Sequence, residues 1–175
     1  MNKINIAIAG LGTVGSEVAK QLQINNEFLS KKAGRKLNLI AVSAKDKSKN
    51  RGFDQSKLNW FEDATDIASF NEVDLVVELI GGSDGAAKKL VYSALKNKKH
   101  VVTANKALIA KYGDQLAKIA EKNKVNLEFE ASVCGGVPII RSLKEGLIAN
   151  KINKVHGIFN GTSNYILSSM DKENK

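Results

Sequence analysis

No stretch of the 175-residue chain approaches the roughly 20 apolar residues needed to cross a bilayer; the longest apolar runs are of the order of Leu75 to Ile80. No membrane partner is expected. Met1-Asn2-Lys3 leads directly into a strand-like segment, without the pattern of a secretory leader, so a cytoplasmic location is expected. A single cysteine, Cys134, excludes an intramolecular disulfide, and two histidines, His100 and His156, are too few for a Cys/His zinc cage. Aromatic residues make up only 6% of the chain and do not interleave with the lysines as a nucleic-acid platform would. The formal net charge of +9 therefore reads as general lysine usage, and no nucleic-acid partner is expected.

What is present is an ordinary globular composition, 43% hydrophobic and 26% charged, long enough to bury one core. Lys3 to Ala9 (KINIAIA) is a short run rich in β-branched residues that stops at Gly10, after which Val14, Val18 and Leu22 fall on one helical stripe. Leu37 to Val42, Asp74 to Ile80, His100 to Thr103 and Asn126 to Glu130 read as further strands. Helical spacing separates the later ones, through Ala87, Leu90, Val91 and Ala94, and again through Ala107 to Ala120. Near-continuous apolarity in Asp74 to Ile80 suits a parallel strand covered on both faces. Alternating strands and helices predict right-handed βαβ units, hence an α/β fold of the doubly wound Rossmann type with a parallel sheet.

After Glu130 the character changes. Ala131 to Pro138 (ASVCGGVP) is small and glycine-rich; a helix is predicted from Pro138 to about Ile148, a strand over Ile152 to Phe159 and a helix from Gly161 to Met170. The expected organisation is a nucleotide-binding domain over residues 1–130 and the beginning of a second, α+β catalytic and dimerisation domain over 131–175.

Gly10-Leu11-Gly12-Thr13-Val14-Gly15 places a G-x-G-x-x-G between the first strand and the first helix. In that context each glycine has its own role. Gly10 permits the tight turn, Gly12 allows close approach of backbone to a pyrophosphate, and Gly15 lets the helix pack closely on the strand. Free N–H groups and the positive dipole end of the helix then face the phosphates. A cofactor preferring NAD calls for an acidic residue at the end of the second strand, where this chain has Ser43-Ala44-Lys45. Lys45, Lys47 or Arg51 suits a 2′-phosphate instead, so NADP is favoured, with Asp46 keeping NAD open. Ile80, Gly81 and Gly82 follow a strand at its carboxyl end and are expected to line the same crevice, the alternative being a plain turn into the next helix. Thr103-Ala104-Asn105-Lys106 ends another strand, making Lys106 the best ionisable candidate near a nicotinamide. In alcohol oxidation a lysine there is either neutral, to accept the hydroxyl proton, or cationic, to polarise the carbonyl in reverse.

Five blocks in this order resemble the homoserine dehydrogenase family along the whole chain. They are GLGTVG at 10–15, VVELIGG at 76–82, HVVTANKALIA at 100–110, EFEASVCGGVPIIRSL at 128–143 and NGTSNYIL at 160–167. The last three are far more specific than the glycine fingerprint. The resemblance implies hydride transfer between NADP(H) or NAD(H) and the C4 position interconverting homoserine and aspartate 4-semialdehyde, in threonine and methionine biosynthesis. It implies a catalytic lysine at Lys106, a cofactor contact at Thr103, and a sodium site formed by Glu130, Val133, Gly135 and Val137. A homodimer is implied for the full-length enzyme. The family's remaining acidic ligands and proton-transfer groups lie downstream of the NGTSNYIL block, so the chain is expected to bind cofactor but to turn over poorly by itself. Two other readings stand beside this one: a non-catalytic nucleotide-binding regulatory module, and a semialdehyde dehydrogenase with Cys134 as its thioester nucleophile. Cys134 has no histidine near it in sequence to activate it, and a small packed residue is the simpler reading.

Overall fold

The computed structural model describes residues 3–157 and 161–173. It divides into two compact units, Met1–Glu128 and Phe129–Lys175. The first is built on a six-stranded, wholly parallel sheet: β1 (Lys3–Ala9), β2 (Lys36–Ser43), β3 (Asn59–Phe61), β4 (Leu75–Glu78), β5 (His100–Thr103) and β6 (Leu127–Glu128). The order is β3-β2-β1-β4-β5-β6, the doubly wound arrangement expected from the alternation of elements. Helices α1 (Thr13–Ile24), α2 (Asn26–Ala33), α3 (Ala86–Lys96) and α4 (Lys106–Asn123) connect the strands.

Central position explains the composition of β1. It pairs with β2 from Lys3↔Lys36 to Ala9↔Ser43 and with β4 from Ile6↔Leu75 to Ala9↔Glu78, so Ile6, Ala7, Ile8 and Ala9 are all buried. Isoleucine fills one face while alanine keeps the other shallow enough for close packing. Ile6, Ile8, Leu11, Ala19, Val42 and Val77 form one core cluster, and Leu90, Val91, Leu95, Leu108 and Leu116 from α3 and α4 are also fully buried.

Several elements depart from the sequence expectation. β4 ends at Glu78 rather than Ile80: the Leu79 amide still donates to the Ala9 carbonyl, but the Ile80 and Gly81 amides turn to the Glu78 carboxylate instead of a neighbouring strand. The final strand is trimmed to Leu127–Glu128, and Glu130 opens a 3₁₀ turn. α2, β3 and a 3₁₀ segment, Ala64–Ser69, have no counterpart among the elements expected from the sequence.

The second unit is described by itself. Its first α-helical stretch is α5 (Ile139–Arg141) running into a π turn, Ser142–Gly146, shorter than the helix expected from Pro138 to Ile148. The strand expected over Ile152 to Phe159 is not formed at 151–157, and Ile158 and Phe159 lie outside the described residues. A strand needs a ladder partner, and among the described residues of this unit there is none. Its last helix is α6 (Gly161–Glu173). No described helix is long and apolar enough to cross a membrane.

Candidate functional site

The strand order reverses between β1 and β4, which opens a crevice at the carboxyl ends of those two strands. The three fingerprint glycines do different physical work there. Gly10 has φ +94°, and a Cβ built on it would lie 2.5 Å from the Leu79 carbonyl oxygen. A Cβ on Gly15 would run into the Gly10 carbonyl. Gly12 is the reverse case, with nothing within 4 Å of its Cβ position. Two glycines therefore close the turn and the third keeps open space above it. Gly12 is also the N-cap of α1, which has no side-chain cap and no acidic residue in its first turn. The first N–H groups of α1 thus keep their hydrogen-bonding capacity for an anion, and the local dipole favours one.

A cavity of about 710 Å³ lies over this turn. It brings together Gly10, Leu11, Gly12, Lys45, Asp46, Arg51 and Ile80, all singled out in the sequence, and adds Lys49. Lys47 is not among its lining residues. The Arg51 guanidinium donates to the Leu11 carbonyl at 3.3 Å and the Lys49 carbonyl at 3.0 Å, and lies over the Trp60 ring at 5.4 Å from its centroid. It is thereby fastened between the glycine turn and the loop after β2. Asp46 is turned onto its own loop: one carboxylate oxygen accepts from the Ser48 amide at 2.8 Å and the Ser48 hydroxyl at 2.7 Å. The Ser48 hydroxyl, with that amide, holds the Asp46 carboxyl below its usual range.

Thr13 and Val14 begin α1, Val14 with its side chain well exposed, and Gly15 is packed beneath them. On the far side of the switch point the organising residue is one that sequence reasoning missed. Glu78, at the end of β4, is fully buried. Its Oε1 accepts from the amides of Ile80 at 2.8 Å and Gly81 at 3.1 Å, and its Oε2 from the Thr103 hydroxyl at 2.6 Å. Thr103, also fully buried, accepts from the Asn105 amide at 3.0 Å. Asn105 then donates to the Gly82 carbonyl at 2.7 Å and caps α4 by accepting from the Leu108 amide at 3.1 Å. Lys106 is the first residue of that helix and is exposed. The signal for Glu78 was available: an acidic residue inside an otherwise apolar parallel strand has to be held by donors.

In the second unit, Glu130 Oε1 and Oε2 accept from the Ile140 and Arg141 amides at 3.0 and 2.8 Å. That carboxylate therefore already holds the start of α5. The Glu130 carbonyl accepts from the Val133 amide and the Cys134 carbonyl from the Val137 amide, folding the glycine-rich segment into two successive turns. Cys134 and Gly135 both have φ +53°. Among the described residues no three His, Cys, Asp or Glu side chains gather as a metal cluster, and the ligand set implied by the resemblance has only one carboxylate.

Residues 10–130 match the family profile described as "Homoserine dehydrogenase, NAD binding domain", and residues 138–175 match the profile "Homoserine dehydrogenase". The chain belongs to the homoserine dehydrogenase family. The homoserine dehydrogenase of Neisseria gonorrhoeae is 45% identical over 97% of this chain and 39% of its own length. A crystal structure of a homoserine dehydrogenase from Thiobacillus denitrificans superposes with TM-score 0.85 at 42% identity, covering 100% of this chain and 40% of that one. A hyperthermophilic archaeal homoserine dehydrogenase in complex with NADPH is more distant, with TM-score 0.67 and 26% identity over 84% of this chain and 50% of that one. The chain spans about two-fifths of the length of the first two relatives. The family thus confirms the Rossmann-type α/β fold and the NAD-binding character of the first unit.

Proposed function

We propose that the whole protein interconverts L-homoserine and L-aspartate 4-semialdehyde, and that this chain supplies its dinucleotide site, with NADP preferred over NAD. The observation that carries this is the open space at Gly12 over the uncapped start of α1, inside a cavity whose rim holds Lys45, Lys49 and Arg51. A diphosphate fits the first feature, because backbone donors and the helix dipole replace its water. A 2′-phosphate fits the second, because Lys45, Lys49 and Arg51 stand at the cavity, while of the acidic residues that also line it, Asp46, Glu62 and Asp63, Asp46 is engaged with Ser48 and Asp63 with Thr65.

The dinucleotide, when bound, supplies the hydride acceptor or donor at its nicotinamide. The residues of the chain do the rest. Residues 1–130 bind and orient the cofactor through Gly10, Leu11, Gly12, Thr13, Val14, Gly15, Lys45, Ile80, Gly81 and Thr103. Thr103 acts from beneath, its hydroxyl being spent on Glu78. Lys106 acts at the substrate oxygen, either accepting the hydroxyl proton as a neutral amine or polarising the carbonyl as a cation; its exposure at the start of α4, beyond the carboxyl end of β5, supports that role. Residues 131–175 begin the substrate and dimer-forming unit. Glu130 and the carbonyls of Val133, Gly135 and Val137 are the proposed oxygen ligands of a sodium ion with a structural role. The partners proposed are a small-molecule substrate and a second copy of the full-length protein.

Titration calorimetry of the chain with NADP and with NAD tests the proposal, repeated on Gly12→Val and Lys45→Ala. Gly12→Val is expected to abolish binding of both, and Lys45→Ala to weaken NADP about tenfold, which is ~1.4 kcal/mol, with little change for NAD. Unchanged affinity in Gly12→Val would overturn the assignment.

A further inference from the structure

We infer that Glu78 is a positioning residue for the nicotinamide half of the dinucleotide: it draws two loop amides down onto its carboxylate and so turns the Ile80 carbonyl outward as an acceptor for the ribose hydroxyls. The inference rests on the nucleotide reading above and goes beyond it by giving a role to a side chain that touches no ligand.

Glu78 is fully buried and accepts three hydrogen bonds, two of them from the amides of Ile80 and Gly81. A planar trans peptide points its N–H and C=O in opposite directions, and the chain has no cis peptide bond among the described residues. The Gly81 amide is aimed at the buried carboxylate, so the Ile80 carbonyl is aimed away from it. Among the described residues no donor reaches that carbonyl, and Ile80 lines the cavity together with Gly10, Leu11 and Gly12. The loop is pinned at its other end as well. Asn105 donates to the Gly82 carbonyl, and Asp84 is gripped by Lys111 and Tyr112 at 2.8 Å each.

The two sides of the switch point consequently offer opposite chemistry. The α1 side presents N–H donors and cations, suited to phosphates. The β4 side has turned two donors inward and presents an acceptor, suited to a neutral diol and unsuited to an anion. In a doubly wound sheet a dinucleotide laid across the glycine turn puts its adenosine half over β2 and its nicotinamide ribose over β4. A loop held in this form before binding has less entropy to lose when the ribose arrives.

The test measures binding of NADP and of 2′,5′-ADP, which lacks the nicotinamide ribose, to the chain and to Glu78→Leu and Glu78→Gln. Glu78→Leu removes the acceptor for both amides; Glu78→Gln keeps a neutral one. Glu78→Leu is expected to weaken NADP about tenfold and to leave 2′,5′-ADP within about twofold, while Glu78→Gln retains most of the NADP affinity. Equal weakening of both ligands, or NADP binding untouched by Glu78→Leu, would overturn the inference. Should Glu78→Leu not fold, the unaltered chain carries the test: NADP made 2′,3′-dideoxy on its nicotinamide ribose is expected to bind about tenfold more weakly, and equal binding would refute the role. An unaltered chain that binds neither NADP nor 2′,5′-ADP would remove the nucleotide reading itself, and this inference with it.

Discussion

Glu78 and Thr103 are register partners on the adjacent strands β4 and β5, and the Thr103 hydroxyl donates to Glu78 Oε2 at 2.6 Å with both residues fully buried. A carboxylate taken out of water is tolerable only while its donors are in place, so deleting one costs more than the bond itself returns. Thr103→Val keeps the shape of the side chain and removes the hydroxyl, which also strands the Asn105 amide. It is expected to lower stability by about 1–3 kcal/mol, the range for leaving buried polar groups unsatisfied. Urea unfolding measures it, and a loss below about 0.5 kcal/mol, within the ordinary scatter of surface substitutions, would show that the pair is dispensable. Thr103→Ser, which keeps the donor, should recover most of the difference.

Gly10 and Gly12 stand two residues apart and should respond to alanine with opposite signs in stability. At Gly10 the positive φ and the approach of the Leu79 carbonyl both oppose a Cβ. At Gly12 the backbone is extended and the space is open. Gly10→Ala is expected to destabilise by about 1–3 kcal/mol, as strain and overpacking do. Gly12→Ala should be neutral or gain up to about 1 kcal/mol from a less flexible unfolded chain, yet lose dinucleotide affinity. Thermal melts of the two variants beside a binding titration separate the effects; a destabilised Gly12→Ala would contradict the open cradle.

The Rossmann frame was legible because its strands are apolar at period two or continuously, and its glycine turn sits where strand passes to helix. β3 was not, being a three-residue edge strand, Asn59-Trp60-Phe61, with too few positions to show a period. α2 was hidden by composition: NEFLSKKA exposes most of its length and buries only Ser30. The crevice itself was read from Gly10, Gly12, Lys45 and Ile80, whereas Glu78 was not, since its use depends on Thr103, which is 25 residues away in sequence and comes alongside only through parallel pairing. The strand expected over Ile152 to Phe159, which is not formed at 151–157, shows the converse: an apolar run with β-branched residues specifies a strand only when a ladder partner is at hand.

Arg51 joins the glycine turn to the loop after β2, by bonds to the Leu11 and Lys49 carbonyls and by its place over the Trp60 ring. A lysine there would keep the charge and lose the fork. Arg51→Lys is therefore expected to reduce NADP affinity about tenfold while NAD binding changes less than about threefold. Parallel titrations with both dinucleotides check this. Equal losses for the two would assign Arg51 to loop stability rather than to the 2′-phosphate.

Asp84 contributes to the acid limb of stability. The Lys111 ammonium, followed by the hydroxyls of Ser83 and Tyr112, holds its carboxyl well below the usual carboxylate range. A carboxyl depressed in the folded state contributes stability that is fully present above its unfolded value, near the ordinary pKa of about 3.9, and that is lost as pH falls towards the folded value. The side chain is 56% exposed, so solvent and salt screen the pair and its contribution is modest. Asp84→Asn should melt below the unaltered chain at pH 7, with the gap narrowing steadily below about pH 4 and shrinking in high salt. Melting temperatures recorded from pH 7 to pH 2 at two ionic strengths test it. A gap that widened on acidification would reverse the sign of the linkage and rule out the Lys111 pair as its source.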